Sequence, residues 1–228
     1  MTESRFEVGF DMRSIFFRLF LVTLLLVGHS AYAQDASTGE YVSGTHYEEL
    51  NPRQPTSTSD DTVEVVEIFA YSCPHCNAFE EPLGHWKDTR ADYITFIRIH
   101  ADWGHPVAEL HSRAYYTAEA LGILEQTHPA FFHEFHERRN YLETREKLVE
   151  FFARFDIDEA KFNSTFDSFL VNSKVQKGRD LIRRYNVSET PTVVVNGRYV
   201  TKGNLAGTYG NWFGIIDELA AREHDASD

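Results

Sequence analysis

Cys73 and Cys76, in the run Cys73-Pro74-His75-Cys76, are the only cysteines in a chain of 228 residues. At this spacing two thiols can hold a metal, close a structural link, or trade disulfides with other thiols. The flanking residues separate these chemistries. The apolar run Ile68-Phe69-Ala70 leads into the tetrapeptide and a helical pattern carrying Phe79 and Leu83 leaves it. Both thiols are therefore expected where a strand hands over to a helix N-terminus. Cys73 reads as the N-cap and Pro74 as the first helical residue, where a missing N–H costs nothing and the fixed φ suits the helix. The first sulfur would then face unpaired backbone N–H groups and the positive end of the helix dipole, with His75 as a second positive neighbour. All three favour a thiolate at Cys73. A stabilised thiolate leaves readily, and a disulfide whose reduced form is stabilised tends to pass its bond to other thiols. The motif reads as a disulfide donor, with Cys73 meeting the substrate sulfur and the better covered Cys76 as its resolving partner.

Two other readings compete. A structural zinc site takes four ligands, and no second cysteine pair is present to complete one. A disulfide that closes so short a loop removes little entropy from the unfolded chain, so a purely structural role is weak. His128, His133 and His136, interleaved with Glu134 and Glu137, form a second cluster of possible ligands. Histidines three residues apart without a third fixed ligand read as surface residues, so no metal is assigned.

The elements that must position the thiols can be read outward from the motif. Residues 63–70 are nearly all β-branched or apolar, as in a strand buried on both faces. Glu67 interrupts them; a carboxylate there should have a raised pKa from desolvation, and six residues before Cys73 it could relay a proton to or from Cys76. Glu80 and Glu81 read as solvated helix-face residues. A second strand spans 93–99, so strand, thiol-bearing helix and strand make a βαβ unit, and C-x-x-C beside such a unit is the sign of a thioredoxin-like redox fold. From Pro106 to about Tyr185 the apolar period becomes about 3.6, marking successive Phe-rich amphipathic helices with Asp158 as an N-cap. These stripes read as core before they read as a ligand pocket. Residues 192–200 form two short strands around Asn196-Gly197, the signature of a type I′ hairpin, with Pro191 at the first strand's start. A helix from about Gly207 to Ala221 closes the chain. The division expected is 62–105 and 177–228 as two halves of one thioredoxin-like domain around a helical insert at 106–176. Residues 34–61 form an extended segment whose Tyr41-Val42 and Tyr47 could pair at a sheet edge.

The N-terminus carries an address. An apolar core at 15–27 follows Arg13 and Arg18 and precedes Ala31-Tyr32-Ala33, a small-x-small cleavage site, so residues 1–33 read as a signal peptide. Glu3, Glu7 and Asp11 dilute its basic end; a start at Met12 gives a better one, and residues 1–11 then read as an over-extended reading frame. An uncleaved anchor is the alternative to cleavage. Export suits the cysteines, because disulfides persist outside the cytosol. Residues 1–33 carry three basic and three acidic residues, so the formal net charge of -13 belongs to the remainder, which disfavours a nucleic-acid partner.

Taken together, Cys73-Pro74-His75-Cys76, the following Phe79-Glu80-Glu81 and the preceding Glu67 resemble the DsbA family, periplasmic thiol–disulfide oxidants of Gram-negative bacteria within the thioredoxin superfamily. The resemblance runs from about Tyr41 to the C-terminal helix and implies an α/β thioredoxin fold with an inserted α-helical subdomain. It also implies that Cys73 exchanges with substrate and that His75 helps to stabilise its thiolate. The family's buried acid matches Glu67, and its cis-proline, which lies against the disulfide, matches Pro191 with Thr190 before it. No cofactor is implied beyond the Cys73–Cys76 disulfide. The implied partners are reduced exported proteins and a DsbB-like, quinone-linked membrane protein that restores the disulfide, with the enzyme a monomer. Some positions depart from the pattern. Thr190 stands where the best-known member has valine, and its hydroxyl could shift the redox balance. Tyr71 and Ser72 replace apolar aromatics, and Asn77 follows the motif. Two further readings stay open: a periplasmic reductase or isomerase, and a chaperone-like module that grips unfolded chains with its Phe-rich insert.

Mass measurement of the exported protein is expected to give a chain that begins at Gln34. A mass that retains residues 15–33 would mean that the segment is kept as an anchor.

Overall fold

In the computed structural model, which describes residues 41–59 and 61–226, the chain alternates between a small sheet and a run of helices. The expected signal peptide, with its alternative start at Met12 and its cleavage site, lies outside the described residues. The strands are β1 (Glu48–Glu49), β2 (Val63–Phe69), β3 (Ile94–His100), β4 (Thr192–Val195) and β5 (Tyr199–Lys202). They form one sheet in the order β1-β5-β4-β2-β3, with β2 and β3 parallel and every other pair antiparallel. The seven residues of β2 are all buried, as the unbroken run predicts, because β2 lies inside the sheet between β3 and β4.

Helix α1 (Pro74–Thr89) connects β2 to β3 and buries Cys76, Phe79, Leu83 and Trp86, one face of a 3.6-residue period. Five helices follow: α2 (Pro106–Ala120), α3 (Leu124–His136), α4 (Arg145–Ala153), α5 (Glu159–Phe166) and α6 (Phe169–Arg184). Side chains cap three of them: Thr144 accepts from Lys147 N–H, Asp158 from Lys161 N–H and Ser168 from Val171 N–H. α6 is unbroken to Arg184; Val171 and Val175 pack in the helical core, while Ile182 and the following Tyr185 lie against the sheet. After the β4–β5 hairpin come a single turn, α7 (Gly203–Ala206), and the closing helix α8 (Tyr209–Asp225). The fold is a thioredoxin-like α/β core with an inserted multi-helix subdomain.

Side chains alternate across β2 and sort the core into layers. Val63 and Val65 join Phe79, Leu83, Trp86, Trp212 and Ile216 beneath α1 and α8. Val66 and Ile68 join Ile99, Ile182 and Val194 on the other face. The phenylalanines of the helices build a third cluster, with Phe131, Phe132, Phe151, Phe152, Phe162 and Phe166 all buried. These stripes are core, as expected, except at the start of α6, where Phe169 and Leu170 are exposed.

The sheet edge differs from expectation. β1 begins at Glu48, and neither Tyr41 nor Val42 belongs to a strand of the described residues. Gly44, at φ 78°, turns the chain so that its N–H reaches Tyr47 O at 2.8 Å, and the Tyr47 ring is buried edge-on against Tyr199 at 5.3 Å. Only beyond that anchor does the backbone meet β5. At the other hairpin the type I′ turn forms: Asn196 and Gly197 have φ of 51° and 62°, and Arg198 N–H donates to Val195 O at 3.0 Å.

A β-carbon on Gly197 would lie 2.1 Å from Gln54 O. Gly197→Ala therefore combines backbone strain with a clash against main chain and is expected to destabilise the protein by about 2 kcal/mol in urea unfolding. The turn lies at the far end of β4 from Pro191, so the Cys73 thiolate titration should not move.

Candidate active site

The tetrapeptide folds as its residue types direct. Cys73 is the N-cap of α1, extended at φ -85° and ψ 116°, and Pro74 opens the helix. Cys76 N–H donates to Cys73 Sγ at 3.4 Å, so the sulfur caps one of the helix's unpaired amides. Cys73 is half-buried, Cys76 is 0% exposed, and both are free thiols. Across from them Thr190–Pro191 is a cis peptide, and Thr190 O lies 3.3 Å from Cys73 Sγ. Beside this contact a groove of about 530 Å³ is lined by His75, Glu189, Thr190, Pro191, Asn204 and Tyr209 among others.

The two sulfurs live in opposite surroundings. Cys73 is drawn down to about 5, first by a hydrogen bond from the Cys76 thiol, then by the Thr190 side chain and the backbone N–H groups of Cys76 and His75; its partial burial opposes the shift. Cys76 is pushed far above the ordinary thiol range, first by burial and then by the Cys73 sulfur. His75 is itself exposed, and the Cys73 thiolate is met by its backbone N–H.

Beneath the motif lies a buried charge cluster. The parallel register sets Glu67 beside Arg98, and Arg98 Nε donates to Glu67 Oε2 at 2.6 Å. The same guanidinium donates through Nη2 to both oxygens of Glu80, at 3.0 and 2.9 Å. Glu67 Oε1 is buried with no hydrogen-bond partner among the described residues. One cation shared by two carboxylates does not offset full burial, and Glu67 is pushed up to about 7 by desolvation, against the pull of Arg98 and with Glu80 adding to the rise. Glu67 in turn raises Cys76.

Glu80 is not the solvated residue that its sequence position suggests. One turn after Cys76 it faces inward, to Arg98 and to His128 Nε2, which lies 3.3 Å from Glu80 Oε2. Glu81 is exposed. Among the described residues no three His, Cys, Asp or Glu are grouped to hold a metal. Of His128, His133 and His136, His133 is exposed, His136 is half-buried and His128 is buried. His128 and His136 reach the motif: His128 Nδ1 is 3.0 Å from Tyr71 Oη, and His136 Nε2–H donates to Tyr71 O at 2.8 Å. The sequence reading missed Arg98, Glu80 and Tyr71 as members of the site. A signal was present for Arg98, since charges in two adjacent buried strands must find each other.

A thioredoxin family profile matches residues 58–218. The thiol:disulfide interchange protein DsbA of Pseudomonas aeruginosa is 32% identical over 210 residues, covering 92% of this chain and 99% of its own. The chain belongs to the DsbA family. Its counterpart of the same name from Burkholderia cepacia is 33% identical over 213 residues, covering 91% of this chain and 98% of its own. The crystal structure of Pseudomonas aeruginosa DsbA superposes with a TM-score of 0.76 at 32% identity, covering 82% of this chain and 96% of that one. As a DsbA-family member the protein is an enzyme, a thiol–disulfide oxidoreductase whose Cys-x-x-Cys pair is positioned for redox chemistry.

Thiolate absorbance of the reduced protein should titrate near pH 5 for Cys73, with no Cys76 thiolate in the accessible range. Because the folded value lies below the usual 9, the stability that this ionisation lends the reduced state is complete above pH 9 and fades as the pH falls toward 5. Unfolding of the reduced enzyme against Cys73→Ser across that window checks the sign.

Proposed function

We propose that this enzyme works as a donor: it passes the Cys73–Cys76 disulfide to reduced exported proteins in the periplasm through a mixed disulfide at Cys73. The observation that carries the reading is the split between the two sulfurs, one half-exposed and drawn down to about 5, the other fully buried and pushed up. A reduced form stabilised by its thiolate makes the disulfide form the stronger oxidant.

In the first step a client thiolate attacks Cys73 Sγ, the Cys73–Cys76 bond breaks, and Cys76 leaves. A buried sulfur with a raised pKa does not stay ionised, so it takes a proton; Glu67, balanced near neutrality, supplies it. A second client thiolate then attacks the client sulfur of the mixed disulfide, and Cys73 departs as the stabilised thiolate. The client loses two electrons and the enzyme becomes the dithiol. Reoxidation runs the sequence backwards, with Glu67 taking the Cys76 proton, and the DsbA resemblance assigns it to a DsbB-like membrane protein. Pro191 and Thr190 present backbone beside Cys73 for a client strand, Pro74 fixes the helix start, and His75 lines the groove that such a strand would follow. The signal-like N-terminus and the membership of the DsbA family support the periplasmic setting. Among the described residues no helix is long and apolar enough to cross a membrane.

Cys76→Ser should accumulate clients joined to Cys73, visible on non-reducing gels, and Cys73→Ser should accumulate none. Glu67→Gln keeps the shape, removes the proton, and should slow exchange about tenfold or more near neutral pH. A glutathione equilibrium in the range of cytosolic reductants would turn the assignment to a reductase or isomerase. Undiminished function in a variant lacking both cysteines would turn it to a chaperone-like module.

A further inference from the structure

His128 and His136 hold no metal cluster among the described residues, and the chemistry of the dithiol leaves them without a task. Both converge on Tyr71, two residues before Cys73. The Tyr71 ring is stacked on Phe131 at 4.1 Å, and each of its polar atoms meets a different histidine. Its N–H donates to His100 Nε2 at 3.2 Å, its hydroxyl is 3.0 Å from His128 Nδ1, and its carbonyl accepts from His136 Nε2 at 2.8 Å. His100 belongs to β3, whereas His128 and His136 belong to α3 in the helical subdomain.

The place of the carbonyl gives the His136 contact its weight. Cys73 N–H donates to Ala70 O at 3.0 Å, so residues 70–73 form a four-residue turn between β2 and α1, with Tyr71 and Ser72 at its centre. The peptide joining the two central residues is the one that rotates when such a turn changes type. Its carbonyl is Tyr71 O, the atom that His136 holds. Ser72 lies outside the left-handed region, so the turn has the type I sense, and a flip would force Ser72 to positive φ. The last residue of this turn is Cys73, whose sulfur must meet Cys76 N–H at 3.4 Å and Thr190 O at 3.3 Å.

We propose that His136 is a positioning residue for disulfide exchange: by holding the central peptide of the 70–73 turn, it fixes Cys73 Sγ against the α1 N-terminus and the Thr190–Pro191 loop. The helical subdomain thereby takes part in setting the reactivity of a sulfur that belongs to the sheet domain. The inference rests on Cys73 being the exchanging sulfur. Whether the wild-type enzyme is a donor is read from its own potential, and the role of His136 from the difference between variants.

The test uses the full mature chain with His136→Phe and His136→Ala as two donor-free variants, the first keeping a ring against Phe132, which now stacks on His136 at 5.9 Å. His136→Gln carries an amide N–H that can reach the same carbonyl, and His133→Ala removes the exposed histidine of the same helix. Cys73 thiolate absorbance and the equilibrium with glutathione are measured beside thermal unfolding. Loss of the donor should raise the Cys73 midpoint by about half to one pH unit and shift the glutathione equilibrium toward the oxidised enzyme by about three- to tenfold, since each unit of thiolate pKa is a factor of ten in the stability of the reduced form. His136→Gln should restore both, and His133→Ala should match wild type. If whichever donor-free variant folds keeps both wild-type values, or if His136→Gln is as disturbed as His136→Phe, His136 is a packing residue and the proposal fails.

Discussion

Two sulfurs three residues apart must sit in opposite electrostatic environments, and most of the architecture follows from that demand. The hydrogen bond from the Cys76 thiol and a helix N-terminus, whose first amides point at whatever caps them, together supply one environment without any charged side chain. Cys73 occupies that cap and Pro74 holds the helix start open. The other environment requires dry packing one turn later, at Cys76. A single short helix entered directly from a buried strand provides both, which is why the strand, the turn and the first turn of α1 form one unit.

The acid beneath the unit is the less expected half of the arrangement. A carboxylate inside a sheet is costly unless it is paired, and full pairing would hold it ionised and unable to carry a proton. Arg98 resolves the conflict by being shared. It binds Glu67 through Nε and Glu80 through Nη2, so neither carboxylate has the cation to itself. Glu80, nearer the outside and facing His128, is held below the usual carboxylate range by His128, Arg98 and Lys87, although burial opposes this. Glu67, fully buried with one oxygen unpaired, goes the other way. Two acids on one arginine thus divide into a fixed anion and a titrating group.

Much of this could be read from the residues because it is local. The N-cap, the proline, the Asn-Gly turn and the Asp158 cap all depend on neighbours within four positions, and the structure forms each as the residue types direct. Glu67 was legible as an anomaly in an apolar run. What could not be read depends on which way a helix face turns once packed. Glu80 looked solvated because nothing nearby in sequence demands a carboxylate; Arg98 and His128, 18 and 48 positions further along the chain, give it partners. The histidines of α3 were visible as a cluster, but their target is a main-chain carbonyl 65 residues away, and an acceptor every residue possesses leaves no trace in composition. Tyr41-Val42 failed as an edge strand because one glycine turn redirects the chain before pairing begins.

The Phe-rich insert is better understood through solvation than through shape. Cys76 and Tyr71 pack in the same cluster as Phe131, Phe132 and Phe151, so the apolar surroundings of the resolving sulfur come in part from helices far along the chain. A strand–helix–strand unit alone would leave that side of Cys76 against water, where a thiol ionises near its ordinary value and the difference between the two sulfurs shrinks. The aromatic core of the insert therefore acts as low-dielectric backing for a reaction centre to which it contributes no reacting atom. This accounts for the direction in which its largest side chains point. Phe131 stacks on Tyr71 and Phe132 meets both Phe69 and Tyr71, closing over the end of β2 where the motif begins.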